Sequence, residues 1–341
     1  MVHSLDSFNS LDFYRQHFHD VALWSQYVSV IGERHHLKPA APVYTGAVGT
    51  FPTFIVANRW VVKFFGQLFN GSASYEIERW VNQTITENKD FTKDSGIQSP
   101  ELLAWGTLED LGANWSWPYL VFEYLPGTRI GAVFDQITLQ SKLITAYELG
   151  QWVRKFHDLE LSNQTSPLPK WISYADFISQ QMIGCSARHA EWGTLPPHLI
   201  AQIDSYLLPV AQLIQPSAVS HLIHADLTQD HLLGIINNGV WHSNGVIDFG
   251  DAMLGSLYYE LAALYLDLFS GKKRLLESFL HGYYDQTSQY QVAITSGEFS
   301  RIAMVTALLH QFNVLGRLPE ITPDLNEIQT MEQLSERLWK I

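Results

Sequence analysis

His224-Ala225-Asp226-Leu227-Thr228-Gln229-Asp230-His231-Leu232-Leu233 and, after a short gap, Val246-Ile247-Asp248-Phe249-Gly250-Asp251-Ala252 are the stretches that decide the fold. Each sets an aspartate in a short turn beside apolar, strand-like residues, so Asp226 and Asp248 lie a hairpin apart. Phosphoryl transfer from ATP needs such a pair. One carboxylate orients the attacking hydroxyl and takes its proton, and the other holds the Mg²⁺ that neutralises the phosphates. His224 is expected to brace the first turn by hydrogen bonding, and Gly250 to supply a positive φ that aims Asp248 at the phosphates. Asp-Phe-Gly alone recurs by chance. Both loops in this order and spacing are far more specific.

Size and composition bound the rest. A chain of 341 residues, 46% apolar and 16% charged, fits a soluble protein with one large two-lobed domain or two ordinary ones, and argues against disorder. The net charge of −13 argues against a nucleic-acid partner held by phosphate contacts, and leaves a surface that favours a neutral or cationic small molecule. The single cysteine, Cys185, excludes an internal disulfide framework and fits a reducing, cytoplasmic setting. Met1 to Asn9 is too polar for a secretory signal, and no window approaches the ~20 apolar residues of a membrane span. Nothing in the sequence fixes the oligomeric state.

Along the chain, residues 10–37 read as a helical lead-in, with Phe13, Phe18, Val21, Trp24 and Val28 at helix-like intervals. Residues 43–65 read as a strand meander turning at Gly46, Gly49 and Asn58-Arg59, and a helix over 73–87 carries Ile77, Trp80, Val81 and Ile85 on one face. Leu102–Trp105 and Pro118–Leu125 read as two further strands, the second stopped by Pro126-Gly127. The expected fold is α+β and bilobal. A nucleotide-binding lobe (1–125) holds a small antiparallel sheet, and a larger, mainly helical lobe (126–341) holds the catalytic and acceptor-binding elements. In the second lobe a helix is expected at 143–158, more helices between 172 and 214, then the two aspartate loops and about three helices.

Three upstream features suit the same chemistry. Lys63 lies in an apolar strand, where a buried ammonium needs an anionic partner such as the ATP phosphates. Glu78 on the following helix is the candidate to orient Lys63, with Glu76 as the alternative that one sequence leaves open. The segment from Gly46 to Gly49 and Thr50 is placed to fold over phosphates through backbone N–H groups, though its glycine pattern equally suits an ordinary hairpin turn.

Together these segments resemble the aminoglycoside phosphotransferase and choline kinase superfamily, whose members share the protein-kinase-like fold. Further matching stretches are Pro118 to Gly127 (PYLVFEYLPG), Glu148-Leu149-Gly150 through Phe156-His157-Asp158, and Gly255 to Ala262 (GSLYYELA), where Glu260 stands at a common aspartate position. The likeness runs from about residue 43 to 290. It implies an adenine pocket with hydrogen bonds to backbone groups of Glu123 and Leu125, and transfer of the γ-phosphate to a hydroxyl of a small acceptor. It further implies that Lys63 holds phosphates, Asp226 is the base and Asp248 the metal ligand. One residue departs: His231 stands where the family has asparagine. Imidazole suits transition metals better than Mg²⁺. Five readings stay open: His231 as a direct metal ligand beside Asp248, metal held by Asp248 and phosphate alone, His231 contacting phosphate or metal-bound water, Mn²⁺ in place of Mg²⁺, or His231 merely packing.

The resemblance also places the acceptor against the segment between the 143–158 helix and the first loop. There Trp171, Tyr174, Phe177 and Trp192 accompany Asp176 and Glu191, and aromatic faces beside carboxylates suit a cationic or ring-shaped ligand. Antibiotic, sugar, nucleoside and amino alcohol all remain as acceptors, and ATP is not distinguished from GTP. Two rivals stand beside this reading. One is a kinase-like nucleotide-binding scaffold without turnover. The other is a zinc-dependent hydrolase using His221, His224, Asp226 and His231, which leaves Lys63 and Asp248-Phe249-Gly250 unexplained.

Overall fold

The computed structural model describes residues 5–38, 41–46, 49–88, 91, 96–109, 116–161, 173–214, 221–285 and 298–341. In the upper lobe β1 (Val43–Thr45), β2 (Thr53–Val56), β3 (Trp60–Phe64), β4 (Leu102–Leu108) and β5 (Trp117–Glu123) form one antiparallel sheet in the order β1-β2-β3-β5-β4. Strand parity decides what each face does. Trp60, Val62 and Phe64 of β3 turn to the outer face and pack with Phe54, Val56, Trp117, Tyr119 and Val121. Val61 and Lys63 turn inward, toward the cleft.

The lead-in covers the outer face. It is two helices rather than one, α1 (Leu11–His17) and α2 (Val21–Arg34), because Asp20 accepts the Ala22 and Leu23 N–H groups and starts a new helix. Trp24, Val28 and Ile31 of α2 are fully buried against the sheet. On the inner face lies α3 (Gly71–Glu87), two residues longer at its N-terminus than its apolar periodicity indicates.

The lower lobe is built around α4 (Leu139–His157), which begins four residues before its apolar stripe because the Thr138 hydroxyl accepts the Ser141 N–H. The segment after it carries α5 (Tyr174–Met182), α6 (Cys185–Trp192) and short helical turns. β6 (Thr128–Arg129) follows the linker and pairs with β8, and the two aspartate loops sit between the short strands β7 (His221–Ile223), β8 (Leu232–Asn237), β9 (Val240–Val246) and β10 (Met253–Gly255). β8 and β9 pair antiparallel, as do β7 and β10. The chain then runs through α7 (Leu257–Ala263), α8 (Lys273–Tyr283), α9 (Phe299–Leu308) and α10 (Met331–Trp339). α4 and α8 cross on Gly150 and Gly282. A Cβ at Gly150 would stand 2.1 Å from the Phe279 carbonyl oxygen, and one at Gly282 2.0 Å from that of Tyr147. The lobes are tied beyond the linker where Gln98 pairs with β9, its N–H on Asn244 O and its carbonyl on Val246 N–H, both 2.9 Å. No described helix is long and apolar enough to cross a membrane.

Candidate active site

Between the lobes lies a cavity of about 640 Å³. Ile55, Val61 and Phe122 line its roof and Leu233 and Ile247 its floor, leaving an apolar slot that opens toward Glu123 and Leu125. The Glu123 N–H already bonds Glu101 O at 2.9 Å, so it is not available to a ligand. The Leu125 N–H has no hydrogen-bond partner among the described residues. Gly46, Gly49 and Thr50 also line the cavity. Ala47 and Val48 between them lie outside the described residues.

Deeper in, Lys63 Nζ donates to Glu78 Oε2 and to Asp248 Oδ1, both at 2.7 Å. This settles the choice of glutamate: Glu76 instead pairs with Arg79 at 2.5 Å. Burial works against the Lys63 ammonium, but Asp248 and Glu78 outweigh it and hold the ammonium above its ordinary value. Burial raises both carboxylates too. For Asp248 the nearby Lys63 wins and holds it well below the usual carboxylate range, whereas Glu78 is pushed up to about 7.

The positive φ at the second loop belongs to Asp248 itself (69°), not to Gly250. Aspartate enters the left-handed region more readily than most residues, and its bond to Lys63 fixes it there. Nor does space demand glycine at 250: its ideal Cβ position lies at ordinary contact distance, 3.4 Å from Ser74 Cβ and 3.5 Å from the Asp248 and Glu78 carboxylates.

The first loop is held with equal care. Ala225 has φ 66°, an unfavourable conformation for a residue with a Cβ. The buried Glu260 carboxylate accepts the His224 N–H at 2.7 Å and the Ala225 N–H at 3.1 Å. The buried His310 ring lies 3.0 Å from the Ala225 carbonyl through Nε2. His224 is buried and its Nε2 bonds Ile247 O at 3.0 Å, linking the two loops. Burial first, and the neighbouring His231 second, lower its pKa to about 4, so it braces as a neutral ring. Asp226, next in the chain, lies on the cavity wall. Burial, then the charges of Asp251, Asp248 and Asp267, raise its carboxyl well above the ordinary value. Once ionised, a carboxylate shifted in that direction is a stronger proton acceptor.

A second cavity of about 170 Å³ shares Ser74, Gly250 and Asp251 with the first and is walled by Ile77, Tyr174, Phe177 and Gln311. Of the aromatic and acidic residues expected at the acceptor, Tyr174 is here, its hydroxyl 3.0 Å from Ser256 Oγ. Asp176 is exposed and accepts the Ser173 hydroxyl at 2.7 Å. Trp192 packs edge-on against His189, and Glu191 is exposed. Asp176, Glu191 and Trp192 line neither cavity, and Trp171 lies outside the described residues.

Sequence reading passed over Asp251, Arg129 and His310. Asp251 follows the Asp-Phe-Gly turn directly, which was signal enough. Its carboxyl is raised to about 6, first by burial and then by Asp248. Arg129 pairs with Asp230 at 2.7 Å on the cavity wall.

The proposed zinc ligands do not converge. His221 Nδ1 lies 3.1 Å from His157 O, His224 is tied to Ile247, and among the described residues no three His, Cys, Asp or Glu side chains form a metal-holding group. The site fits a metal shared with phosphates instead. Asp248 Oδ1 is taken by Lys63, but Oδ2 is free to face one.

The model of the phosphotransferase enzyme family matches residues 54–292. Solved structures of like fold include the GDP complex of wild-type aminoglycoside 2'-phosphotransferase-IIIa. It is 15% identical, with a TM-score of 0.65, covering 92% of this chain and 99% of that one. Another is Plasmodium vivax ethanolamine kinase, 11% identical with a TM-score of 0.51, covering 94% and 95%. At these identities the likeness speaks for the fold, a kinase-like bilobal one. Among curated proteins, the lysine-specific demethylase JMJ21 of Arabidopsis thaliana is 25% identical over 309 residues, with 76% of this chain covered. The chain spans 31% of that relative's length. Two aspartate loops, a strand lysine paired across the lobes and a family match over most of the chain lead to one conclusion: this chain belongs to the phosphotransferase enzyme family.

Proposed function

We propose that the protein transfers the γ-phosphate of ATP to a hydroxyl of a small acceptor. The observation that carries this reading is Lys63, bonded at once to Glu78 of the upper lobe and Asp248 of the lower, on the wall of the cavity that also holds Asp226. In this reading the purine lies in the apolar slot, hydrogen-bonded to the Glu123 carbonyl and the Leu125 N–H. Lys63 turns from Asp248 toward the phosphates while Glu78 keeps it extended. The backbone at Gly46, Gly49 and Thr50 closes over them from above. Asp248 would hold Mg²⁺, which would supply the positive charge that neutralises the phosphates.

Asp226 accepts the acceptor's hydroxyl proton, with its turn held by Glu260 and His310 so that its carboxylate need not reorganise during transfer. The acceptor enters by the smaller cavity. Asp251 and the Tyr174 and Phe177 rings there favour a cationic group, in keeping with a net charge of −13. The buried thiol of Cys185, raised to about 11 by burial, fits a cytoplasmic setting and takes no part.

The test is a screen of ADP release with hydroxylated amines, sugars, nucleosides and aminoglycosides, run with Mg²⁺ and with Mn²⁺. Acceptor-dependent ADP formation is expected from at least one amine-bearing compound. Nucleotide binding without turnover across the whole panel would replace this reading with the scaffold.

A further inference from the structure

His231 stands where the family has asparagine, and its surroundings decide what its ring can do. Nδ1 contacts the Asp226 carbonyl oxygen and lies 3.1 Å from Thr228 Oγ1. A carbonyl oxygen only accepts, so the ring proton must sit on Nδ1. In the neutral ring Nε2 then carries the lone pair. It has no hydrogen-bond partner among the described residues, and it faces Asp248 Oδ2 at 4.0 Å. That separation is too long for a hydrogen bond. It does fall within the span of two ligands on one cation: with metal–ligand distances of about 2.0–2.2 Å, two donors stand roughly 3 Å apart at a right angle and just over 4 Å apart when opposed.

The Asp248 carboxylate divides its labour to match, Oδ1 on Lys63 and Oδ2 turned to His231. The carbonyl that fixes the imidazole tautomer belongs to the candidate base itself, an arrangement of the kind that orients metal-bound histidines.

We propose that His231 Nε2 is a direct ligand of the nucleotide-bound metal, and that this ligand shifts the site from Mg²⁺ toward Mn²⁺ and similar borderline cations. Mg²⁺ prefers an all-oxygen shell, whereas imidazole nitrogen raises affinity along the first transition row. Two protein donors are too few to hold a metal unaided. Tight binding should therefore require the phosphates of bound nucleotide. The inference rests on the nucleotide-binding reading given above.

The test is electron spin-echo spectroscopy of Mn²⁺ bound to the whole chain with ADP or a non-hydrolysable ATP analogue, beside equilibrium Mn²⁺ and Mg²⁺ titrations. Expected is a histidine ¹⁴N modulation on the Mn²⁺ signal that appears only with nucleotide and disappears in H231N. The Mn²⁺-over-Mg²⁺ affinity ratio should fall roughly tenfold in that variant. Mn²⁺–nucleotide bound with no nitrogen coupling in the unaltered chain would overturn the ligand assignment while leaving the phosphotransferase reading intact. Failure to bind nucleotide at all would overturn both. Because the unaltered chain carries the decisive signal, poor folding of H231N would not blur the result.

Discussion

Replacing Glu78 by glutamine tests how the inter-lobe cluster divides stability from function. One buried ammonium serves two carboxylates there, so removing the second anion does not orphan Lys63: Asp248 remains at 2.7 Å. Glutamine keeps the size of the side chain and an oxygen that can still accept from Lys63. What it removes is the cost of ionising a buried acid. Raising the Glu78 carboxyl from 4.5 to about 7 corresponds to about 3 kcal/mol once the group is fully ionised, at about 1.4 kcal/mol per pH unit. The sign follows from an acid whose pKa is higher in the folded state. The penalty is absent below pH 4.5, grows as pH rises through that value to 7, and is constant above.

E78Q should therefore be more stable than the unaltered protein by about 3 kcal/mol at pH 8 and only about 1 kcal/mol at pH 5.5. Urea unfolding at the two pH values reads the difference of about 2 kcal/mol directly. Activity should move the other way, with kcat/KM for ATP falling at least tenfold as Lys63 loses its charged guide. A loss of 3 kcal/mol or more that does not vary with pH would refute the reasoning. It would mean that the Lys63–Glu78 pair is a net source of stability.

Other perturbations address the scaffold. A225G should relieve the left-handed strain beside the base, worth about 1–2 kcal/mol, against about 0.4–1 kcal/mol of added freedom in the unfolded chain. Thermal unfolding should show a modest net gain. E260A leaves the His224 and Ala225 N–H groups buried without acceptors, at about 1–3 kcal/mol each. Urea unfolding should show the loss, and crystallography of the variant a displaced Asp226. G150A drives a Cβ into the Phe279 backbone where α4 and α8 cross, and calorimetry should record a loss of at least about 1–3 kcal/mol.

What the sequence made legible depended on local pattern. Lys63 was readable because strand parity sets it opposite Val62 and Phe64, and the two aspartate loops because each turn is bounded by apolar strands. The choice between Glu76 and Glu78 was not. They lie about 200° apart around a helix, and the apolar stripe of α3 does not say which flank meets Lys63. Glu260, legible only as a position of the family pattern, and His310 were obscured for a different reason: both hold the first aspartate loop, 35 and 85 residues away, and only tertiary packing brings them to Ala225. Gly250 shows how a familiar rule misleads. Glycine suggested the positive φ, but the residue that adopts it is the aspartate two places earlier, held by its ion pair. The expected acceptor wall was the least legible part, because the aromatics of α5 and α6 look alike in sequence while, of the two, α5 alone lines either described cavity.

The central claim is that both lobes form one ATP site with Asp226 as its base. Paired measurement of ADP and phosphorylated acceptor from γ-labelled ATP, in the unaltered protein and in D226N, tests it most directly. The account predicts one phosphorylated acceptor per ADP in the unaltered protein. In D226N the rate should fall by roughly 10²–10⁴ with ATP affinity unchanged. D226N turning over at the original rate, or ADP formed without any phosphorylated acceptor, would contradict it.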